Sequence, residues 1–167
     1  MACLLSRPDA YRRLVDEIDA GTSKGTLSSP TASFEECRAL PYLQAVLNEA
    51  MRLFPPLTAL ASKEVPAGGS TVAGYFLPAG TQVGQNIFGI LRDKAYWGDN
   101  ADMFLPERWL DAGGSRAKDM AATLDLTFGH GKFKCLGRQL ALNELNRFIV
   151  EVSACRLSCN TRALYHF

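Results

Sequence analysis

Phe128-Gly-His-Gly-Lys-Phe-Lys-Cys135-Leu-Gly137 sets one cysteine among three glycines and hands the chain at once to an amphipathic helix starting near Arg138. Gly129, Gly131 and Gly137 permit positive φ and close backbone approach, which a larger residue resists. Phe128 is placed to cover the sulfur side. The free N–H groups and positive dipole end of the following helix favour an anionic sulfur and lower a thiol pKa.

That is the pattern of a thiolate held still for a metal. Haem iron accepts such a ligand, and the thiolate pushes electron density toward the metal and favours O–O cleavage. The plain alternative is a buried cysteine packed as a small apolar side chain in a glycine-rich turn, the usual fate of an isolated cysteine. What surrounds the run separates the two.

The chain has 167 residues, enough for one domain-sized core, with 47% hydrophobic and 21% charged residues and a formal net charge of +1. Such a balance signals neither disorder, nor a nucleic-acid partner, nor a charged-membrane surface. Cys3, Cys37, Cys135, Cys155 and Cys159 are odd in number and irregularly spaced, which argues against a disulfide framework and for a reducing, intracellular compartment. No apolar run approaches the roughly 20 residues that span a bilayer, so no membrane anchor is expected in this sequence.

Ser6-Arg7-Pro8 opens a helix whose Ala10, Leu14, Val15 and Ile18 share a face, with Gly21 as its end. Arg12 and Arg13 stand four residues before Asp16 and Glu17 and read as a solvated charged face. After a Gly/Ser/Thr-rich loop, Ser33-Phe-Glu-Glu36 is a capping box. Pro41 then begins a helix with Leu43, Val46, Leu47, Ala50 and Phe54 on one face, stopped by Pro55-Pro56. On it Glu49 and Arg52, three apart, are close enough to pair; buried, such a pair needs further partners.

Gly68-Gly69, Ser70 to Leu77, Pro78-Ala-Gly80 and Thr81 to Asn86 read as strands and tight turns of a small antiparallel sheet. A helical turn is expected over Phe88–Arg92 and an irregular packed loop over Trp97–Phe104. Pro106-Glu-Arg108-Trp109 offers the missing partner for the Glu49–Arg52 pair. Residues 111–123 read as an exposed excursion. Past the cysteine, Leu140, Ala141, Leu145, Phe148, Ile149 and Val152 form the face expected against the core, and the helical signal fades after Val152.

Glu49-x-x-Arg52, then Pro106-Glu-Arg108-Trp109, then Phe128-x-x-Gly131-x-Phe133-x-Cys135-x-Gly137, in that order, resemble the C-terminal part of a cytochrome P450. The likeness is greatest to fungal, microsomal-type members. It implies a mainly α fold with a small antiparallel β-sheet (α+β), of which this chain carries an incomplete, haem-proximal portion over residues 1–152, followed by an atypical tail over 153–167. It also implies a monooxygenase and oxidoreductase with haem b bound through Cys135 as axial thiolate. Phe128 would lie beside the sulfur, Gly131 and Gly137 would shape the loop, and Glu49, Arg52 and Arg108 would form the buried charge triad behind the haem. Electrons would come from NADPH indirectly, through a reductase, and the substrate would be a small organic molecule, with Leu57 to Ala61 near it. Full-length relatives sit at the endoplasmic reticulum membrane.

The sequence departs from the family where Phe133 replaces an arginine that partners a haem propionate. Lys132 or Lys134 is placed to supply the charge, and Lys63 stands where relatives carry a second propionate-binding cation. His130 reads as a loop hydrogen-bonder. The distal helix, its acid–alcohol pair and the anchor of longer relatives are not recognisable here, and Met1-Ala-Cys-Leu-Leu5 reads as the end of the connection that follows that helix, as in a truncated chain.

Three functions are therefore weighed. One is the haem-thiolate monooxygenase of the parent family. The second, favoured for the isolated chain, is a non-catalytic haem-binding or interaction fragment, because a haem without a distal protein layer loses much of its burial. The third is a cysteine-based redox or metal module on Cys155, Cys159 and His166, whose loose spacing argues against it.

Overall fold

The computed structural model describes residues 2–28, 31–58 and 62–158, except the side chains of 2 and 154–158. Along the chain come α1 (Ala2–Leu5), α2 (Pro8–Ser23), α3 (Phe34–Arg38), α4 (Pro41–Leu53), β1 (Lys63–Glu64), β2 (Ser70–Val72), β3 (Tyr75–Leu77) and β4 (Gln82–Val83). There follow α5 (Ile87–Ile90), α6 (Lys94–Trp97), α7 (Glu107–Asp111), α8 (Gly114–Asp125) and α9 (Arg138–Ser158). The fold is thus mainly helical with minor antiparallel strands. No described helix is long and apolar enough to cross a membrane.

Pro8 starts α2 in its first turn, and Ala10, Leu14 and Ile18 form its buried stripe. The helix does not stop at Gly21 as the sequence suggested but runs through it to Ser23. Gly21 is there for close packing: a Cβ on it would stand 3.4 Å from Leu27 Cβ and 3.6 Å from Leu40 Cδ2. The Ser33–Glu36 capping box forms as read, with Glu36 N donating to Ser33 Oγ at 3.2 Å and Ser33 N to Glu36 Oε2 at 2.7 Å.

Glu17 is not part of a solvated face. Its carboxylate caps α4, accepting from Tyr42 N at 2.8 Å and Leu43 N at 2.9 Å and so satisfying two donors that a helix start leaves free. Arg13 lies over the Tyr42 ring at 4.3 Å and reaches Glu107 Oε1 at 3.4 Å, so this polar side of α2 is a docking edge for α4 and α7.

α4 is buried nearly all round and belongs to two apolar clusters. Leu43, Val46 and Leu47 join Leu14 and Ile18 of α2, Cys37 of α3, and Ile149 and Val150 of α9. Met51 joins Leu91, Trp97, Ala101, Met120 and Leu124. Burying each large apolar side chain contributes about 1.5–3 kcal/mol, so α4 is the member whose displacement would open both clusters. Phe54, expected on the buried face, caps the helix and is 66% exposed.

The strands form two separate antiparallel pairs rather than one sheet, β1 with β4 and β2 with β3. Ser70–Leu77 folds back on itself, pairing Val72 with Tyr75, because Ala73 and Gly74 both take positive φ, 51° and 85°, as a two-residue hairpin turn requires. The excursion expected over 111–123 is instead the helix α8. Met120 and Leu124, four apart, bury on the second cluster and hold it there.

Of the α9 face expected against the core, Ile149 is buried as read, but Leu140, Leu145 and Phe148 are not, and the buried stripe is shifted around the helix. Asn146, Ile149, Val150 and Ser153 face the core, whereas Leu140 is 63% and Phe148 55% exposed. The helix carries two apolar stripes, and spacing alone does not say which one meets the neighbours present. It also continues past Val152 to Ser158, beyond the point where the periodicity fades. Cys159, Arg162 and His166 lie outside the described residues, as do the side chains of Cys155 and Arg156, and with them the cysteine-based module.

Candidate functional site

Glu49 and Arg52 stand one turn apart on α4, both 0% exposed. Arg52 Nε and Nη2 fork onto Glu49 Oε2 and Oε1, each at 2.9 Å. Its remaining donors go to carbonyls, Nη1 to Leu91 O and Ala101 O at 2.7 Å and Nη2 to Met103 O at 3.2 Å, while the guanidinium lies 5.1 Å from the Trp97 ring centroid. Arg108 of α7 brings Nε to Glu49 Oε1 at 3.0 Å and donates to Trp97 O at 3.0 Å and Asn100 O at 2.9 Å.

Two donors in this network escape a sequence reading based on charge alone. Trp109 Nε1 donates to Glu49 Oε2 at 2.9 Å, and Leu105 N to Glu49 Oε1 at 2.9 Å. Burial by itself would push the Glu49 carboxyl up; the hydrogen bonds and charge of Arg52, with Leu105 N and Trp109, outweigh it and hold the group below the usual carboxylate range. Every donor of Arg52 is used. A buried ion pair satisfied in this way is tolerable, whereas one stripped of a partner is not.

The cysteine loop hangs between α8 and α9. After Asp125 the chain makes a 3-10 turn over Leu126–Phe128, then a second over Gly131–Phe133. Cys135 N donates to Phe128 O at 2.7 Å, closing the loop on itself. Gly129 is required twice over: its φ is 75°, and a Cβ would sit 2.8 Å from Phe133 O. Gly131 has φ 59°. Gly137 does not use positive φ, contrary to expectation; a Cβ there would meet only Cys135 Sγ, at an ordinary 3.9 Å.

Asp125 braces both ends of this loop. Its Oδ2 accepts from Lys134 Nζ at 3.0 Å and its Oδ1 from Arg138 Nε at 2.5 Å. Burial would raise the Asp125 carboxyl, but these two partners outweigh it and hold it below its ordinary range. Cys135 lies between them and is exposed, with Leu136, Leu140 and Phe133 exposed around it and Phe128 half-buried. An exposed thiol with exposed apolar side chains close to it in the chain suits a large, flat group bearing a metal.

Lys63 of β1 is brought to the loop by the fold, its Nζ 4.2 Å from the Phe133 ring centroid, and Lys132 Nζ lies 5.0 Å from the same centroid. Lys134 turns away to Asp125. His130 is exposed and its side chain makes no hydrogen bond among the described residues; it bonds within the loop through its carbonyl, which accepts from Phe133 N at 3.4 Å. Leu57 is half exposed, and 59–61 of the segment expected near a substrate fall outside the described residues.

Residues 1–154 match the family model described as Cytochrome P450, and the chain belongs to that family. It is 41% identical over 149 residues to the cytochrome P450 monooxygenase ABA1 of Pyricularia oryzae, covering 89% of this chain and 29% of the relative. It is 39% identical to the cytochrome P450 monooxygenase aba1 of Botryotinia fuckeliana and 38% to cytochrome P450 monooxygenase cicH of Emericella nidulans, with the same coverage. The chain thus spans 29% of the length of these relatives.

Proposed function

We propose that Cys135 is the axial thiolate of a haem b, and that this chain is the cysteine-bearing part of a haem-thiolate monooxygenase fold. The observation that carries this reading is the loop itself: an exposed thiol in a glycine-shaped loop closed by Cys135 N on Phe128 O and braced by Asp125 through Lys134 and Arg138 on either side of it. When bound, haem supplies the oxygen chemistry, one atom of dioxygen going into a small organic substrate. The chain's residues have other tasks. Cys135 would hold the metal and Phe128 would flank the sulfur, while Gly129 and Gly131 let the loop take its shape and the Glu49–Arg52–Arg108 network keeps the core behind the loop rigid. Lys132 and Lys63 supply positive charge to the carboxylates of the haem edge. In the full-length protein electrons come from NADPH through a reductase, at the endoplasmic reticulum membrane.

For the 167-residue chain alone we propose haem binding without turnover. A groove of about 1130 Å³ between α4 and α9, lined by Met51, Phe54, Leu140, Leu145 and Phe148 among others, favours this second reading. An open apolar surface of that kind is normally covered by more protein. Titrating haemin into the purified chain, with Cys135→Ser as comparison, tests the first claim; stoichiometric binding with a Cys135-dependent spectrum is expected. Any hydroxylated product formed by the chain alone with NADPH and reductase would overturn the second.

A further inference from the structure

The α4–α9 groove carries a pattern on α9 that complements itself when the helix is reversed. Ala141, Leu145 and Phe148 line the groove at spacings of four and three, so they share one stripe, and Glu144 and Arg147 lie along the same side. Leu145 and Phe148 are exposed, as is Phe54 across the groove at the end of α4. About Leu145 the stripe is balanced in size and in charge. A small side chain stands four positions before it and a large ring three after, a carboxylate one before and a guanidinium two after.

These two charges are not committed within the chain. Glu144 is exposed and forms no hydrogen bond or ion pair with a described residue. Arg147 reaches only Glu151 Oε1, from Nη2 at 3.7 Å, and its Nε is buried without a partner among the described residues.

Two helices packed antiparallel about a two-fold axis set residue i against residue j and j against i. With the axis at Leu145, position 148 of one copy falls beside 141 of the other and 147 beside 144, each within one position of direct opposition. Phe148 then covers the small Ala141 of the second copy, and Glu144 meets its Arg147, each contact made twice. Packed parallel, the same stripe would set ring on ring and carboxylate on carboxylate. Size and charge therefore select the antiparallel arrangement together.

We propose that a second copy of this chain closes the groove, its α9 lying antiparallel along the first with Leu145 on the two-fold axis and reciprocal Glu144–Arg147 ion pairs on either side. This takes up the reading of the groove as a surface that needs covering and names the cover. A patch that pairs with itself is used up in one contact, so association stops at two copies. Cys135 takes no part in the contact, and the haem reading stands or falls separately.

The test is sedimentation equilibrium of the 167-residue chain without haemin at low salt, beside Glu144→Lys, Arg147→Glu, an equal mixture of these two variants, and the double variant. Circular dichroism checks that each folds. The unsubstituted chain is expected to show a reversible monomer–dimer equilibrium. Either single reversal turns two attractive contacts into two repulsive ones and should weaken dimerisation about tenfold. In the mixture and in the double variant opposite charges face each other again at both contacts, so dimerisation should return to within about threefold of the unsubstituted chain. High salt should narrow these differences. A monomer at every concentration overturns the proposal, as does association beyond two copies, single variants that dimerise like the unsubstituted chain, or a mixture that dimerises no better than either variant alone.

Discussion

Asp125, the last residue of α8, accepts a hydrogen bond at 2.5 Å from Nε of Arg138, the first residue of α9. The contact ties two helices together across the loop that carries Cys135, and Lys134 on the other carboxylate oxygen makes the tie double.

Asp125→Asn removes the charge that both cations share. Asp125 and Arg138 are about one-third exposed and Lys134 about half, so the stability loss is modest, roughly 1 kcal/mol in urea unfolding. The larger expected effect is on haem spectra, with a mixture of thiolate and non-thiolate bands where the unsubstituted chain gives one. The pH dependence follows from a depressed folded pKa. The contribution is fully present above the ordinary aspartate value of 3.8 and is lost as pH falls below it through the lower folded value. Acid titration of loop-dependent haem binding should show that loss in the unsubstituted chain and not in Asp125→Asn.

Glu49→Gln leaves Arg52 buried with a full charge and a neutral partner. Breaking such a pair from one side costs about 3–5 kcal/mol, a large part of the stability of a domain this size. Thermal or denaturant unfolding should show that loss, with most of the variant recovered insoluble. Trp109→Phe keeps an aromatic side chain but loses part of the indole and its donor to a charged acceptor, the lost hydrogen bond alone costing about 1.5–3 kcal/mol.

Glu17→Gln removes the charged cap that α2 places on α4. A loss of about 1–2 kcal/mol is expected, visible as a lower unfolding midpoint with little change in the spectrum of bound haem. A loss as large as that of Glu49→Gln would contradict the assignment of Glu17 as a cap alone.

Leu145→Lys with Phe148→Lys places charge in the α4–α9 groove without touching either cluster, since both side chains are exposed. Sedimentation should show less self-association in the double variant than in the unsubstituted chain. Equal association would contradict the reading of the groove as an apolar surface that needs covering.

The motifs were legible because they are local. Glu49 and Arg52 are a helical turn apart, and the glycines and Cys135 fall within one loop, so spacing alone brings them together. The Ser33–Glu36 box and the proline starts of α2 and α4 were readable for the same reason. What escaped depends on distant neighbours. Glu17 caps a helix 25 positions away, and no local pattern marks it. Trp109 belongs to a local motif, but its donor role appears only once α7 meets α4. Leu140 and Phe148 of α9 share the spacing of a buried face with Ile149, yet only Ile149 of the three is buried, with Asn146 and Val150 beside it, because packing is chosen by the partners present. Lys63 was placed by likeness alone, and the pairing of β1 with β4 is what holds its strand in position.

The central claim is that Cys135 is a thiolate ligand. It is tested most directly by reducing the haem-reconstituted chain, exposing it to carbon monoxide and recording the Soret band beside that of Cys135→Ser. The account predicts a strongly red-shifted band in the unsubstituted chain and its loss in the variant. A folded, haem-loaded chain whose band lies at the ordinary position, or whose shifted band survives in Cys135→Ser, would contradict it.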